Sequence, residues 1–231
     1  MIEIYLGLFI AFIVSLTVGI KWAYKKGSQD LFKLFVKSAF NDKVSTFQAL
    51  NPLAQPHQNV IIGDSITEQC PTDELLPTKV VYNRGIGGDT TPGVLTRLKE
   101  SCFDLHPDRV FIWIGTNDFA LLNTSVKIIH KNIEAIVTHI HRQLPAAKVF
   151  VMSVCPVNPR IDRVTVGPRN NHSIQALNQL LKTLTIASYI DVHSALVDSE
   201  GSLNASFTRD GLHLTPEAYQ EIIKIIEPNM V

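Results

Sequence analysis

Apolar and polar positions fall into two unlike regimes along this chain. From Ile4 to Ile20 the apolar run is almost unbroken, diluted only by Gly7, Ser15, Thr17 and Gly19, and Glu3 is the one charge between Met1 and Ile20. With Met1, Ile2 and the flanking Trp22 and Tyr24, the run reaches the roughly 20 residues of a membrane-spanning helix, and the two aromatics stand where an interfacial belt would sit. No basic residue precedes the run and Thr17-Val18-Gly19 is a poor cleavage site, so the pattern predicts an uncleaved anchor over residues 1–26 rather than a signal peptide. A juxtamembrane segment and linker, residues 27–58, follows. Within it Asp30 to Phe40 predicts a helix with Lys33 and Lys37 one turn apart beside Leu31, Phe35 and Phe40, either packed on the globular part or laid on a membrane surface.

The second regime, residues 59–231, alternates short β-rich runs with helical periods. Strands are predicted at Val60–Ile62, Lys79–Tyr82, Val110–Ile114, Lys148–Met152 and, more weakly, Ser188–Val192. They are near-continuously apolar, the pattern of parallel strands covered on both faces. Helices are predicted at Thr91–Ser101, Ser125–Gln143, Asn171–Leu184 and Pro216–Ile226, the last opened by a proline suited to a first turn. Alternating elements of this kind imply an α/β sandwich around a parallel sheet. Asn158 to Asn171 reads as a long loop.

Composition narrows the classes. Lys plus Arg balances Asp plus Glu at 21 each, so no basic field exists to hold nucleic acid. Lys21, Lys25, Lys26, Lys33 and Lys37 all follow the apolar run and none precedes it, which places the globular part on the cytoplasmic face of a single-pass protein. Cys70, Cys102 and Cys155 cannot all pair within one chain and none has metal-ligand spacing.

In parallel α/β sheets, ligands bind at the carboxyl ends of the strands. The chemistry-bearing residues collect there: Gly63-Asp64-Ser65 after the first strand, Asn83 to Thr90 after the second, Gly115-Thr116-Asn117-Asp118 after the third, and Asp210-Gly211-Leu212-His213 before the last helix. Gly85-Ile86-Gly87 begins a dinucleotide fingerprint, but the third glycine position is Thr90 and the cluster follows the wrong strand. No P-loop is present, and His139 and His141, two apart on a helix, cannot share a metal. Ser65 alone would read as a helix N-cap, and the G-x-S-x-G elbow is missing. Asp210 and His213, three apart, can supply a base and its orienter to a serine, while Asn117 and glycine-turn N–H groups can face a developing oxyanion. Asp64 and Asp89 read as loop-fixing acceptors, Asp118 as a turn or cap residue, and His106 and His193 as surface or packing histidines. Cys155 and Asn158 are candidates to line a pocket. The arginines of the 158–171 loop read as a solvated face, or as contacts to an anionic head group.

Gly63-Asp64-Ser65-Ile66, Gly88 within Gly-Gly-Asp-Thr, Gly115-Thr-Asn117-Asp118 and Asp210-Gly-Leu-His213 resemble, in order, the four blocks of the SGNH (GDSL) hydrolases. The stretch Asn83 to Thr91 is similar to the platelet-activating-factor acetylhydrolase-like branch. The resemblance implies a flavodoxin-like three-layer sandwich with a five-stranded parallel sheet, and a serine esterase without metal or organic cofactor. By block matching, Ser65 would be the nucleophile, His213 the base and Asp210 its orienter, and the Ser65 and Gly88 N–H groups with the Asn117 amide would form the oxyanion hole. The expected substrate is a small-molecule ester, with a short acyl group such as acetyl on a lipid or carbohydrate. A lysophospholipase or thioesterase is the enzymatic alternative. An inactive ester- or glycan-binding module is the non-enzymatic one, against which the intact Ser, His, Asp and Asn argue. The membrane segment is a departure from many relatives.

Overall fold

The computed structural model describes the backbone of residues 2–231 and the side chains of residues 17, 19–24, 26–28 and 31 and of all residues from 34 onward. In chain order its elements are α1 (Ile2–Leu50), β1 (Asn59–Gly63), α2 (Ser65–Glu68), α3 (Thr72–Leu75), β2 (Val81–Gly85), α4 (Thr91–Thr96) and α5 (Leu98–Ser101). Then come β3 (Arg109–Trp113), α6 (Thr116–Leu121), α7 (Val126–Gln143), β4 (Lys148–Met152), α8 (Arg163–Val166), α9 (Asn171–Leu181), β5 (Ser188–Ile190) and α10 (Pro216–Ile226). The chain divides into two compact units, Met1–Asn41 and Asp42–Val231.

The first unit is helical throughout its described backbone. The run expected to span a membrane falls for the most part outside the described side chains. Among the described residues, no helix is long and apolar enough to cross a membrane. Trp22, Tyr24, Leu31, Leu34 and Phe35 are exposed, and Lys26 Nζ lies 5.1 Å from the Trp22 ring centroid.

The second unit is built on a five-stranded parallel sheet in the order β2-β1-β3-β4-β5. Successive residues of a strand face opposite sides. Val60, Ile62, Val110, Ile112, Val149 and Val151 enter one core with buried residues of α4, α5, α7 and α9. Ile61, Phe111, Trp113, Phe150 and Met152 enter the other, with Ile66 of α2 and Tyr219, Ile222 and Ile226 of α10. This two-sided burial is why the strands read as unbroken apolar runs. Phe111 and Phe150 stack across β3 and β4, their ring centroids 4.8 Å apart.

Four local expectations need correction. The second strand lies at Val81–Gly85 rather than Lys79–Tyr82, so Asn83 and Arg84 belong to the strand and not to the loop after it. Their polar side chains are absorbed locally. Asn83 Oδ1 accepts from Gly85 N–H at 2.9 Å and Asn83 Nδ2 donates to Thr67 O at 2.7 Å, while the Arg84 guanidinium lies 4.7 Å from the Phe47 ring centroid. The helix expected over Thr91–Ser101 is broken at Arg97, whose backbone (φ −121°, ψ 14°) is not helical. The fifth strand stops at Ile190, because the N–H groups of Val192 and His193 both donate to Ser153 Oγ instead of to a strand. Finally, the 158–171 segment contains α8, capped by Asp162, whose side chain accepts from Val164 N–H and Thr165 N–H.

Candidate active site

In this strand order β1 lies between β2 and β3, so connections leave its carboxyl end toward opposite sides and open a crevice there. The chain leaves β1 through Gly63 and turns at Asp64 into α2, whose first residue is Ser65. Asp64 is the N-cap: its Oδ1 accepts from Ile66 N–H at 2.9 Å. From the far side, Tyr219 Oη of α10 donates to Ile66 O at 2.6 Å. Ser65 is therefore held at the rim by a cap on one side and a tyrosine on the other.

After β2 a tight turn runs from Ile86 to Asp89, closed by Asp89 N–H donating to Ile86 O at 3.1 Å. Gly88 occupies its third position at φ 76°, a left-handed conformation that other residues rarely adopt. Ile86 N–H donates to Gly63 O at 3.1 Å, tying the turn to the end of β1. Gly87 N–H donates to Glu68 Oε2 at 2.7 Å, and Glu68 Oε1 meets Lys43 Nζ at 2.8 Å. The N–H of Gly88 meets no acceptor among the described residues.

After β3, Asn117 stands in the first turn of α6 and is 4% exposed. Both ends of its amide are engaged. Nδ2 donates to Asp89 O at 3.0 Å, and Oδ1 accepts from Arg169 Nη2 at 2.6 Å. One Nδ2–H remains, one peptide away from Gly88.

The loop before α10 completes the group. Asp210 Oδ1 accepts from Leu212 N–H at 3.0 Å and His213 N–H at 2.8 Å, folding the segment into a turn. Gly211 sits within it at φ 78°, where a Cβ would lie 2.2 Å from Asn158 O. Asp210 Oδ2 is left for His213 Nδ1 at 2.7 Å, and His213 Nε2 lies 3.1 Å from Ser65 Oγ. The sequence spacing of three residues thus lets one carboxylate fix the backbone with one oxygen and the imidazole with the other.

The carboxylates around the site divide by environment. Burial pushes Asp210 up, but hydrogen bonds from the His213 ring and from the His213 and Leu212 N–H groups outweigh it and hold the carboxyl below its usual range. Asp64 is 2% exposed, and burial raises it to about 7, with Asp89 and Asp118 adding to the rise and Ile66 N–H and Arg169 opposing it. Asp89 pairs with Arg97, Nε to Oδ2 at 2.8 Å. Arg97 also donates to Arg84 O, Gly63 O and Ser101 Oγ, clamping the ends of β1 and β2 together. Asp118 caps α4 by accepting from Thr91 N–H at 3.0 Å and Thr91 Oγ1 at 2.5 Å.

Ser65, His213 and Asp210 thus form one hydrogen-bonded chain, and Gly88 and Asn117 meet through Asp89. Cys155 lines a small cavity with Ile66, Trp113 and Thr116, and burial pushes its thiol up. Asn158 is instead turned away, donating to Leu203 O at 2.8 Å. Of the 158–171 arginines, Arg160 and Arg163 are exposed as expected of a solvated face, but Arg169 departs from that reading, being 8% exposed and bonded to Asn117. Sequence reasoning also missed Arg97 and Tyr219. Among the described residues, no group of three or more His, Cys, Asp or Glu is placed to hold a metal ion.

The GDSL-like lipase/acylhydrolase family matches residues 61–221 of the chain, which takes in all four rim segments. The chain belongs to this family. It is an SGNH/GDSL esterase of the platelet-activating-factor acetylhydrolase-like branch. The chain is 33% identical over 171 residues to the platelet-activating factor acetylhydrolase IB subunit alpha2 of Gallus gallus, covering 71% of this chain and 72% of that one. The Homo sapiens subunit alpha2 is 31% identical over 170 residues, with the same coverage. Among solved structures, a Streptococcus pneumonia protein named for platelet activating factor superposes with a TM-score of 0.81 at 30% identity, covering 87% of this chain and 97% of that one. A GDSL-like lipase from Bacteroides thetaiotaomicron gives a TM-score of 0.69 at 26% identity, covering 80% and 96%. This GDSL-family chain is accordingly a hydrolase of ester substrates.

Proposed function

We propose that this esterase works through an acyl-enzyme on Ser65 and takes esters with short acyl groups, acetyl foremost. The observation that carries the reading is the relay itself, Ser65 Oγ to His213 Nε2 at 3.1 Å and His213 Nδ1 to Asp210 Oδ2 at 2.7 Å. Asp210 holds the tautomer with the proton on Nδ1, which leaves Nε2 as a lone pair facing the hydroxyl. As Ser65 Oγ attacks the carbonyl carbon, His213 Nε2 takes its proton. The oxyanion is met by the N–H groups of Ser65 and Gly88 and by the remaining Asn117 Nδ2–H. Collapse expels the alcohol, which leaves with the proton from His213, and water then hydrolyses the acyl-enzyme by the same relay in reverse.

A cleft of ≈ 410 Å³ is lined by His213 with Gln69, Arg209, Asp210, Thr215 and Pro216, and suits a polar alcohol portion. The relatives named acetylhydrolases agree with an acetyl ester. A membrane anchor at residues 1–26, with the esterase on the cytoplasmic face, is proposed from the apolar run and the five lysines that follow it.

The test is an aryl ester series from acetate to decanoate, with and without detergent. Activity should be greatest on acetate and fall with chain length, and Ser65→Ala should lower kcat by about 10⁶ and abolish fluorophosphonate labelling. A preference for long acyl chains would replace the reading with a lysophospholipase or thioesterase. An adduct on a serine other than Ser65 would overturn the assignment of the nucleophile.

A further inference from the structure

Resting on the reading of Asn117 as an oxyanion donor, we infer that Arg169 is the positioning residue that sets which way the Asn117 amide faces. A carboxamide is nearly symmetric in shape, so packing alone does not distinguish its oxygen from its nitrogen. Hydrogen bonds must do so, and here they come from two sides. Asp89 O accepts from Nδ2 at 3.0 Å, while Arg169 Nη2 donates to Oδ1 at 2.6 Å. A flipped amide would set its oxygen against the Asp89 carbonyl and its NH₂ against the guanidinium, two repulsive contacts in a buried place. The observed orientation leaves one Nδ2–H for the substrate oxygen. The flipped one would direct amide Oδ1, with its lone pairs, to the same side.

Arg169 is itself held rigidly. Its Nε donates to Thr116 O at 3.1 Å, and its Nη1 donates to Val166 O at 2.9 Å and Thr165 O at 3.2 Å. The guanidinium therefore spans α8 and the start of α6, and presents its last donor to Asn117. A charge-assisted bond to the amide oxygen also draws electron density from the nitrogen, strengthening the Nδ2–H that faces the substrate. Burial pushes the guanidinium pKa down, and the Asp64 and Asp210 carboxylates oppose that shift. A lysine keeps the charge but cannot reproduce the fork that reaches Thr116, Val166 and Asn117 together.

The experiment is a double-mutant cycle on aryl acetate hydrolysis, using Arg169→Lys, Asn117→Ala and the pair. Arg169→Lys should lower kcat by about 10-fold with KM within about twofold, less than the roughly 10²–10³ expected from removing the donor outright. In the Asn117→Ala background the same lysine should change kcat by less than about twofold, because a residue acting through Asn117 has nothing left to orient. Equal losses in both backgrounds, or a loss residing in KM, would overturn the inference while leaving Asn117 as the donor. Full activity in Asn117→Ala would remove the donor, and with it both the oxyanion assignment and this inference. If the lysine variant does not fold, Asn117→Asp decides. Its carboxylate should pair with Arg169, so it should melt above Asn117→Ala while matching its low kcat. A melting temperature no higher than that of Asn117→Ala would show that Arg169 does not bind this side chain.

Discussion

Asp210 and Asp64 both stand at the end of a connection on the same rim, and both accept backbone N–H groups, yet they are opposites. Asp210 has a third of its side chain exposed, spends one oxygen on its own turn and offers the other to His213. Asp64 is buried, caps the helix that begins with Ser65, and lies among Asp89, Asp118 and Arg169. Hydrogen bonds hold the first below its usual pKa, whereas burial raises the second to about 7. The residue type is the same; solvent and partners decide whether its charge is available for chemistry or suppressed in service of a cap. The comparison fits the proposed relay, in which Asp210 orients His213 and the buried carboxylates hold the loops around it.

The largest effect that can break this division is on rate. Asp210→Asn keeps the size and the turn-forming oxygen but presents His213 with a donor, so the imidazole settles in the wrong tautomer. The expected loss is about 10⁴ in kcat with KM nearly unchanged, alongside a modest drop in melting temperature at neutral pH as the carboxylate's bonds to His213 weaken. Asp64→Asn, which can still cap Ile66 N–H, should cost less than about 10-fold in kcat. Steady-state kinetics on both variants compares them directly. A loss at Asp64 as large as that at Asp210 would end the distinction.

The next effect is on the pH dependence of stability, and the two signs differ. A carboxyl held below its ordinary value stabilises the fold above that value and loses the contribution as pH falls through the folded pKa. Asp210 therefore weakens the protein only in acid, below about pH 4. A carboxyl raised to about 7 contributes fully below its ordinary value of 3.8 and loses the contribution as pH rises through 7. Thermal melts between pH 2 and 8 should show Asp64→Asn gaining stability relative to the parent as pH rises above about 4, and Asp210→Asn gaining only below about pH 4. Parallel curves for the parent and Asp64→Asn would show that the carboxyl is not titrating in this range.

These two aspartates also mark what the sequence could show. The four rim segments were legible because the stretches holding Ser65, Gly88, Asn117 and the Asp210–His213 pair each follow a strand or precede a helix, and strands buried on both faces announce themselves as apolar runs. Asp210 and His213 were legible because three residues of spacing suffice for one turn to join them. The second strand reads partly as a loop in the sequence because it is an edge strand whose Asn83 and Arg84 look like loop residues; the contacts of Asn83 with Gly85 and Thr67, and of Arg84 with Asn51 and the Phe47 ring, come only from the fold. Arg97 and Arg169 were hidden for a related reason. A buried arginine is spelled like a surface one, and half or more of the partners of each are backbone carbonyl oxygens, which every residue has. The break at Arg97 could not be anticipated from helical period alone, since Arg is a good helix former and the break serves a clamp between strands far apart in sequence.

The smallest effect concerns Asp118, which the division places with the holding residues. Its two oxygens accept from Thr91 N–H at 3.0 Å and Thr91 Oγ1 at 2.5 Å, and Thr91 Oγ1 in turn accepts from Asn132 Nδ2 at 2.8 Å. Asp118→Asn keeps one acceptor for the backbone N–H but turns an NH₂ toward the threonine hydroxyl. The hydroxyl can then accept from the new amide as it does from Asn132, but its own buried proton loses the acceptor that Asp118 gave it. The cost should be about 1 kcal/mol, or roughly 2–4 °C in melting temperature for a domain of this size, with kcat within about threefold. Thr91→Val removes the other partner of that bond. In the double variant the two losses should be less than additive, since both act on the one contact. Additive losses would mean that Asp118 holds the loop through some other contact. A drop in kcat well beyond threefold, with the melting temperature intact, would move Asp118 across the line and into the chemistry with Asp210.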